Sequence, residues 1–367
     1  MKPVLVVNSG SSSLKYQVID VATNDSLISG LIERVSDHTA AFEQMVADLK
    51  ASGVTPIAIG HRVVHGGSKF SQPAIVDQIV LNAIESLIPL APLHNPGNLA
   101  GIKGAMAAFP GLIQVAVFDT AFHQTMPPAA YRYAIDRELE QKYSIRRYGF
   151  HGTSHSYVSK RAAKFLGKPN FTGVVLHLGN GGSACAVLDG RSVNTSMGLT
   201  PLQGLVMGTR SGDLDPAIVM YLASQGLSLS EIDESLNKNA GLRGMTGDSD
   251  LRDVLRRANQ NEAVAREALE VYALRAKQYV GAYLAQLGPI DALVFTAGVG
   301  ENSSEMRELI TDGLEHLGIA LDYEKNQVRE KSERDISTAG SKVRILVIPT
   351  NEELEIAIQT AQLALQS

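Results

Sequence analysis

Apolar and polar positions along this chain predict strands joined by glycine-rich turns, with helices between them. Residues 4–7 form a short apolar, β-branched run closed by Asn8, Ser9 and Gly10, and a strand-like pattern resumes at 16–20. The reading is strand, tight Gly/Ser turn, strand. The same design recurs: 174–178 leads into the glycine-rich 179–183, and 184–188 leads out. Each of these units opens a segment in which further strands alternate with helices, so the fold class is α/β and the chain carries a weak internal repeat. Ala265, Leu269, Tyr272, Ala276, Tyr279 and Tyr283 recur at helical spacing and predict one long helix over about 254–287, ended by Gly288-Pro289. A strand at 292–295, a turn at 297–300 and a buried strand at 345–348 follow. The last element is a helix from Glu352, with Thr350 and Glu353 as a capping box and Leu354, Ile358, Ala361 and Leu365 as its apolar stripe.

Composition narrows the function classes. The chain has 367 residues, enough for two domains with cores of their own, and a formal net charge of -5 with no basic run. Nucleic acid and anionic membranes are therefore not expected partners. A single cysteine, Cys185, rules out an internal disulfide framework and suits a reducing cytoplasm. The opening apolar run is too short for a signal peptide, and no stretch approaches the ~20 apolar residues needed to span a bilayer.

Candidate chemistry sits in the turns. Asn8 to Lys15 combines Gly and Ser, which let the backbone approach a phosphate closely, with a lysine that adds positive charge. An ordinary hairpin turn explains the same residues. The second turn, His177-Leu178-Gly179-Asn180-Gly181-Gly182, is the same kind of object, and two such turns in tandem halves suit a nucleotide better than one. Neither a Walker A pattern nor a dinucleotide-binding G-x-G-x-x-G opening a helix is present. Gly298-Val299-Gly300-Glu301-Asn302 follows a strand and precedes a predicted helix, whose N-terminus suits another part of a nucleotide; a plain strand-to-helix turn is the simpler account.

Arg62 and Arg210 lie in polar, glycine-rich settings, where phosphoryl transfer would need cations around the migrating group. His61 and His65, like His151 and His155, are four apart, but H-E-x-x-H is missing and adjacent glycines weaken the helix that a zinc site of that kind needs. Asp119 ends an apolar strand, where a carboxylate can orient a magnesium-bound water or cap a helix. Glu352 is free to help hold Mg²⁺, which takes one or two carboxylates plus waters and phosphates.

With these residues in view, the chain resembles the acetate kinase family, within the superfamily of acetate and sugar kinases, Hsp70 and actin. The segments that carry the resemblance are 8–15, 60–67, 92–96, 117–127, 146–155, 177–182, 207–216, 295–302 and 349–354, in order along nearly the whole chain. The resemblance implies two tandem actin-like (ribonuclease H-like) domains with mixed sheets flanked by helices and an active-site cleft between them. It divides them as 1–123 plus 355–367 against 124–354. It places Asn8 and Glu352 at a magnesium site, where Mn²⁺ can substitute. Lys15 and His177, Leu178, Gly179, Asn180 and Gly181 would contact ATP phosphates, and Asp250, Leu251, Arg252, Gly298, Val299, Gly300, Glu301 and Asn302 would surround the adenosine. Arg62 would bind the carboxylate, Val64, Leu93, Phe150 and Pro201 would form the acyl pocket, and Asp119, His151 and Arg210 would be catalytic. A homodimer is the usual family assembly.

Three departures stand out: Leu251 where an aromatic is frequent, Ser68 where an acidic residue is common, and a shortened 20–58 segment. The implied reaction is reversible, direct transfer of the ATP γ-phosphoryl group to acetate, giving ADP and acetyl phosphate. No general base is needed, because acetate is already ionised at neutral pH. A short-chain carboxylate kinase with a larger pocket, such as a propionate kinase, is the nearest alternative. An ATP-gated actin- or Hsp70-like binding module and a zinc hydrolase are more distant ones.

Overall fold

The computed structural model describes residues 1–10, 13–33 and 38–366. Ser11 and Ser12, in the first expected phosphate turn, lie outside the described residues. The chain packs into two compact units, 1–125 with 150–157 and 351–367, and 126–149 with 158–350. The segment 150–157 thus packs with the first unit, and the chain re-enters that unit at 351.

The first unit is built on a mixed six-stranded sheet. Its strands are β1 (Pro3–Ser9), β2 (Ser13–Asp20), β3 (Asp25–Glu33), β4 (Ala58–Val63), β5 (Ala74–Ile75) and β6 (Ile113–Phe118), in the order β3-β2-β1-β4-β6-β5. The first three are antiparallel, β1, β4 and β6 run parallel, and β5 closes the edge antiparallel. Alternation along β1 puts its apolar side chains on two faces. Val4 and Val6 pack with Leu354, Ile356, Ala357 and Ala361 of the helix Glu352–Ala364. Leu5 and Val7 pack with Phe42, Met45 and Leu49 of the helix His38–Ser52. Each fully buried side chain of this size contributes roughly 1.5–3 kcal/mol, so the strand is anchored from both sides.

The second unit repeats the plan. Its strands are β7 (Gly173–Leu178), β8 (Gly182–Leu188), β9 (Arg191–Thr195), β10 (Ala292–Thr296), β11 (Arg334–Asp335) and β12 (Arg344–Val347), in the order β11-β12-β10-β7-β8-β9. Here β7, β8 and β9 are antiparallel, β7, β10 and β12 parallel, and the two-residue β11 closes the edge antiparallel. The repeat expected from two hairpins is therefore complete to the last strand. Leu176, Leu293, Phe295 and Val347 join Ala265, Leu269, Tyr272, Ala276 and Tyr283 in one core.

Two local expectations change. The long helix is two helices, Leu251–Asn259 and Ala263–Leu287. Asn261 adopts φ 67°, a left-handed conformation that asparagine tolerates, and breaks the helix. Arg257 braces the break by bonding Glu262 and the Thr246 carbonyl. The final helix is capped by Asn351, whose side chain accepts from Leu354 N, and not by Thr350. Glu353 is drawn instead into an ion pair with Lys15. Leu365 lies past the last turn and is exposed, while Ile356 and Ala357 take its place in the buried stripe. No helix among the described residues is long and apolar enough to cross a membrane.

Candidate active site

In the first unit, the carboxyl ends of β4 and β6 bring Arg62 and Asp119 together. Asp119 is 1% exposed and accepts from Arg62 Nε at 3.1 and 3.3 Å and from Nη2 at 2.8 Å. Thr153 Oγ1 also donates to Asp119 Oδ1, at 3.2 Å. Glu352 Oε2 lies 3.8 Å from Arg62 Nε, and Lys15, opposite Asn8 across the β1–β2 hairpin, pairs with Glu353. Two cations thus face three carboxylates. Burial, together with the neighbouring Asp119 and Glu353, pushes the Glu352 carboxyl above its usual range, and Arg62 pulls it back in part. The Asp119 carboxylate raises Arg62 further above its already high value.

The loop after β4 is held by buried amides. Val64 N donates to Asn98 Oδ1 at 3.0 Å, and His65 N to Asn95 Oδ1 at 3.2 Å. Asn98 in turn donates to the Ser9 carbonyl, and Gly66 N to Thr120 Oγ1. Val64 and Phe150 are buried, and His65 packs edge-on against Phe150 with ring centres 5.6 Å apart. Leu93 is 70% exposed, so it does not enclose a methyl pocket within this unit. His151 has φ 56°, a left-handed conformation that costs a non-glycine residue about 1 kcal/mol or more and that recurs at functional sites.

His61 and His65 do not form a metal pair. His61 Nε2 is 2.7 Å from Gln114 Oε1, and His65 Nδ1 accepts from Gly67 N at 3.0 Å. Burial lowers both rings from 6.5 to about 4, which keeps them neutral. No group of three His, Cys, Asp or Glu side chains that could hold a metal occurs among the described residues.

In the second unit a cavity of about 1220 Å³ gathers most of the residues expected around a nucleotide. Gly179, Asn180, Asp250, Leu251, Arg252, Gly298, Val299, Glu301 and Asn302 all line it. His177 and Leu178 lie in β7 and are buried, and Gly300 is packed against Phe295. Gly181 and Lys15 are not among the lining residues.

The β7–β8 turn is closed by Gly179 N to Gly181 O at 2.9 Å, and Gly208 N donates to Asn180 O at 2.9 Å. Asp250 caps the helix Leu251–Asn259 and is held at about 2 by hydrogen bonds from the Arg252 side chain and backbone. The 297–302 segment is itself a helical turn, followed by the helix Ser304–Thr311. Glu301 Oε1 accepts from Ala297 N and Thr350 N, so that oxygen organises the turn.

Sequence reasoning missed Arg307, which is buried and donates to the carbonyls of Gly300, Glu301 and Asn326 and to Asn326 Oδ1. Burial lowers its guanidinium to about 10. Its only sequence signal is an arginine on an otherwise core-facing stripe with Met306 and Ile310. Arg210 is half-buried, lowered by desolvation, and has no hydrogen-bond or ion-pair partner for its side chain among the described residues. A part-buried cation of that kind can receive an anion.

The acetokinase family model matches residues 3–55 and 35–358. An acetate kinase of Leifsonia xyli is 54% identical, covering 99% of both chains, and one of Streptomyces coelicolor is 52% identical, covering 99% of this chain and 97% of its own. Among solved structures, a propionate kinase from Francisella tularensis superposes with a TM-score of 0.94 at 44% identity, over 99% of this chain and 100% of its own. Porphyromonas gingivalis acetate kinase gives 0.94 at 40%, over 99% of each. A ROK hexokinase from Thermus thermophilus, 11% identical with a TM-score of 0.50 over the full length of both, shares the fold. The chain belongs to the acetokinase family.

Proposed function

We propose that this protein transfers the γ-phosphoryl group of ATP to acetate, reversibly, giving acetyl phosphate and ADP in one in-line step. The observation that carries the reading is Arg62, a guanidinium fixed by Asp119 and followed two residues on by buried Val64, in the segment whose His65 packs against buried Phe150. Such a group neutralises a small carboxylate whose alkyl end meets apolar walls. Val64, Leu93, Phe150 and Pro201 are the proposed acyl contacts. The cavity of the second unit supports binding of the nucleotide, with Asn180 and Gly179 toward the phosphates and Asp250, Leu251, Arg252 and Asn302 toward the adenosine.

His151 and Arg210 stabilise charge on the migrating phosphoryl group, and Asp119 orients the acceptor side. The donor set fits Mg²⁺, because Asp119, Glu352 and Glu353 bring three carboxylates against the two cations Arg62 and Lys15, which leaves an excess of hard anionic oxygen. Asn8 and Glu352 would hold the ion, which neutralises phosphate charge when bound. The domain division at 123/124 and 354/355 belongs to the same proposal.

We also propose a cytoplasmic homodimer. The helix Ala217–Ser224 supports association, since it buries none of its residues and exposes Ile218, Met220 and Tyr221 by 41%, 74% and 64%. Cys185, reduced and buried, suits the compartment.

An assay of ADP release with formate, acetate, propionate and butyrate tests the reading. The expected result is ADP release that depends on the acid and is fastest with acetate. Slow ATP turnover indifferent to every acid would defeat it. Propionate is the second reading, favoured by the exposure of Leu93, which leaves the acyl pocket one wall short within its unit.

A further inference from the structure

We propose that Thr153 is a positioning residue for the acceptor arginine: through Asp119 it fixes which edge of the Arg62 guanidinium faces the acid. The proposal rests on the reading that Arg62 binds the acceptor carboxylate. A guanidinium has two edges that can each hold a carboxylate by two hydrogen bonds, the side edge of Nε with Nη2 and the end edge of Nη1 with Nη2. Asp119 occupies the side edge: Nε donates at 3.1 and 3.3 Å and Nη2 at 2.8 Å. Nη1 has no hydrogen-bond partner among the described residues, so the end edge is left for a second carboxylate.

What holds Asp119 itself decides where that edge points. Among the described residues its two oxygens receive Arg62 and one other side chain, Thr153, whose hydroxyl donates to Oδ1 at 3.2 Å. Both residues are nearly sealed from water, Thr153 at 3% and Asp119 at 1% exposure. Remove that hydroxyl, and the carboxylate is restrained only by the arginine it is meant to orient. Thr153 is the second residue of the helix Gly152–Phe165. The same helix start binds the Asp119 backbone, with Gly152 N donating to its carbonyl at 2.8 Å. A side chain at 152 would collide with that carbonyl oxygen, so glycine is what allows the helix to approach. Backbone and carboxylate of Asp119 are thus set by adjacent residues of one turn.

The test compares Thr153→Val, which keeps the shape without the hydroxyl, with Thr153→Ser, which keeps the hydroxyl. Thr153→Ala repeats the deletion without the valine's second methyl. The expected result for the valine and alanine variants is a fall in kcat/KM for acetate of about tenfold, the scale of one hydrogen bond to a charged group, with the KM for ATP within twofold of the parent. The serine variant should restore the acetate value. A valine and alanine pair with unchanged acetate kcat/KM would overturn the proposal. So would an equal loss toward acetate and ATP, or a serine variant as impaired as valine. If Arg62→Ala itself kept near-normal turnover, the underlying reading would fail instead, a result separable from any behaviour of Thr153.

Discussion

The carboxyl ends of the central parallel strands differ between the two units, although the sheets share one strand order. In the first unit, β4 and β6 end on Arg62 and Asp119, and the site is a lattice of charged side chains that hold one another. Their counterparts β10 and β12 end on Thr296-Ala297-Gly298 and Ile348-Pro349-Thr350, and there the backbone does the shaping, with Glu301 tying the two ends together. Open α/β sheets place ligands at such strand ends. Strand order selects the location, and on the proposed reading the few residues beyond each strand decide whether a small charged acid or a large nucleotide suits it. Side-chain lattices resist repositioning of charge. A glycine-lined cavity instead depends on the absence of side-chain volume.

Four substitutions or conditions press on that difference, the largest effect per residue first. Arg62→Ala should lower kcat by about a thousandfold, the effect of deleting a transition-state donor, with ADP affinity by calorimetry within twofold. Equal loss of ADP binding would erase the division of labour between the units.

Acid should strain the first unit through His61 and His65. Both rings sit at about 4 when folded, against 6.5 in an unfolded chain. The unfolded chain therefore takes up protons between pH 6.5 and 4 that the folded one does not. The stability concerned is complete above pH 6.5 and falls as pH drops toward 4, by about 3 kcal/mol for each ring at the lower limit. Urea midpoints measured across this window should fall with pH, and His61→Gln should flatten the slope. A flat parent profile would show that neither ring is held neutral.

Gly208→Ala attacks the second unit. A methyl at 208 would meet the Asn180 side chain and the Ser249 carbonyl, both at the cavity wall. ADP affinity should drop about tenfold, the scale of an overpacked contact, with kcat/KM for acetate at saturating ATP within twofold.

An effect of the same size concerns acid choice. Val64→Ala removes about the volume that one methylene adds, so the ratio of kcat/KM for propionate over acetate should rise by about tenfold. Most of that should lie in KM, because the contact is equal in ground and transition states. An unchanged ratio would remove Val64 from the acyl pocket.

Much of this was readable in residue order. Alternation marked β1, β7 and β10, and glycine-rich turns marked both hairpins. The residues from Asp250 to Arg252 and from Gly298 to Asn302 were recognisable as motifs and do converge on one cavity. The helix break at 260–262 was invisible because Val254, Ala258, Ala265 and Leu269 keep the same apolar phase across it, and all four are buried in one core. Thr153 and Arg307 were unreadable for another reason. Their partners, Asp119 and the 300–301 carbonyls with Asn326, are assembled by folding, and a threonine or arginine on a helix carries no local sign of them.

The helix Glu352–Ala364 has a consequence for how the protein comes into being. Val4 and Val6 leave the ribosome long before the side chains that cover them, Leu354, Ile356, Ala357 and Ala361. Contacts so distant along the chain form late and leave apolar surface open meanwhile. Glu352 stands at the start of that same helix, beside Arg62. A nascent chain that has not reached residue 352 leaves Val4 and Val6 uncovered by that helix and lacks the Glu352 carboxylate beside Arg62. The one helix therefore both covers the first sheet and brings a carboxylate to Arg62.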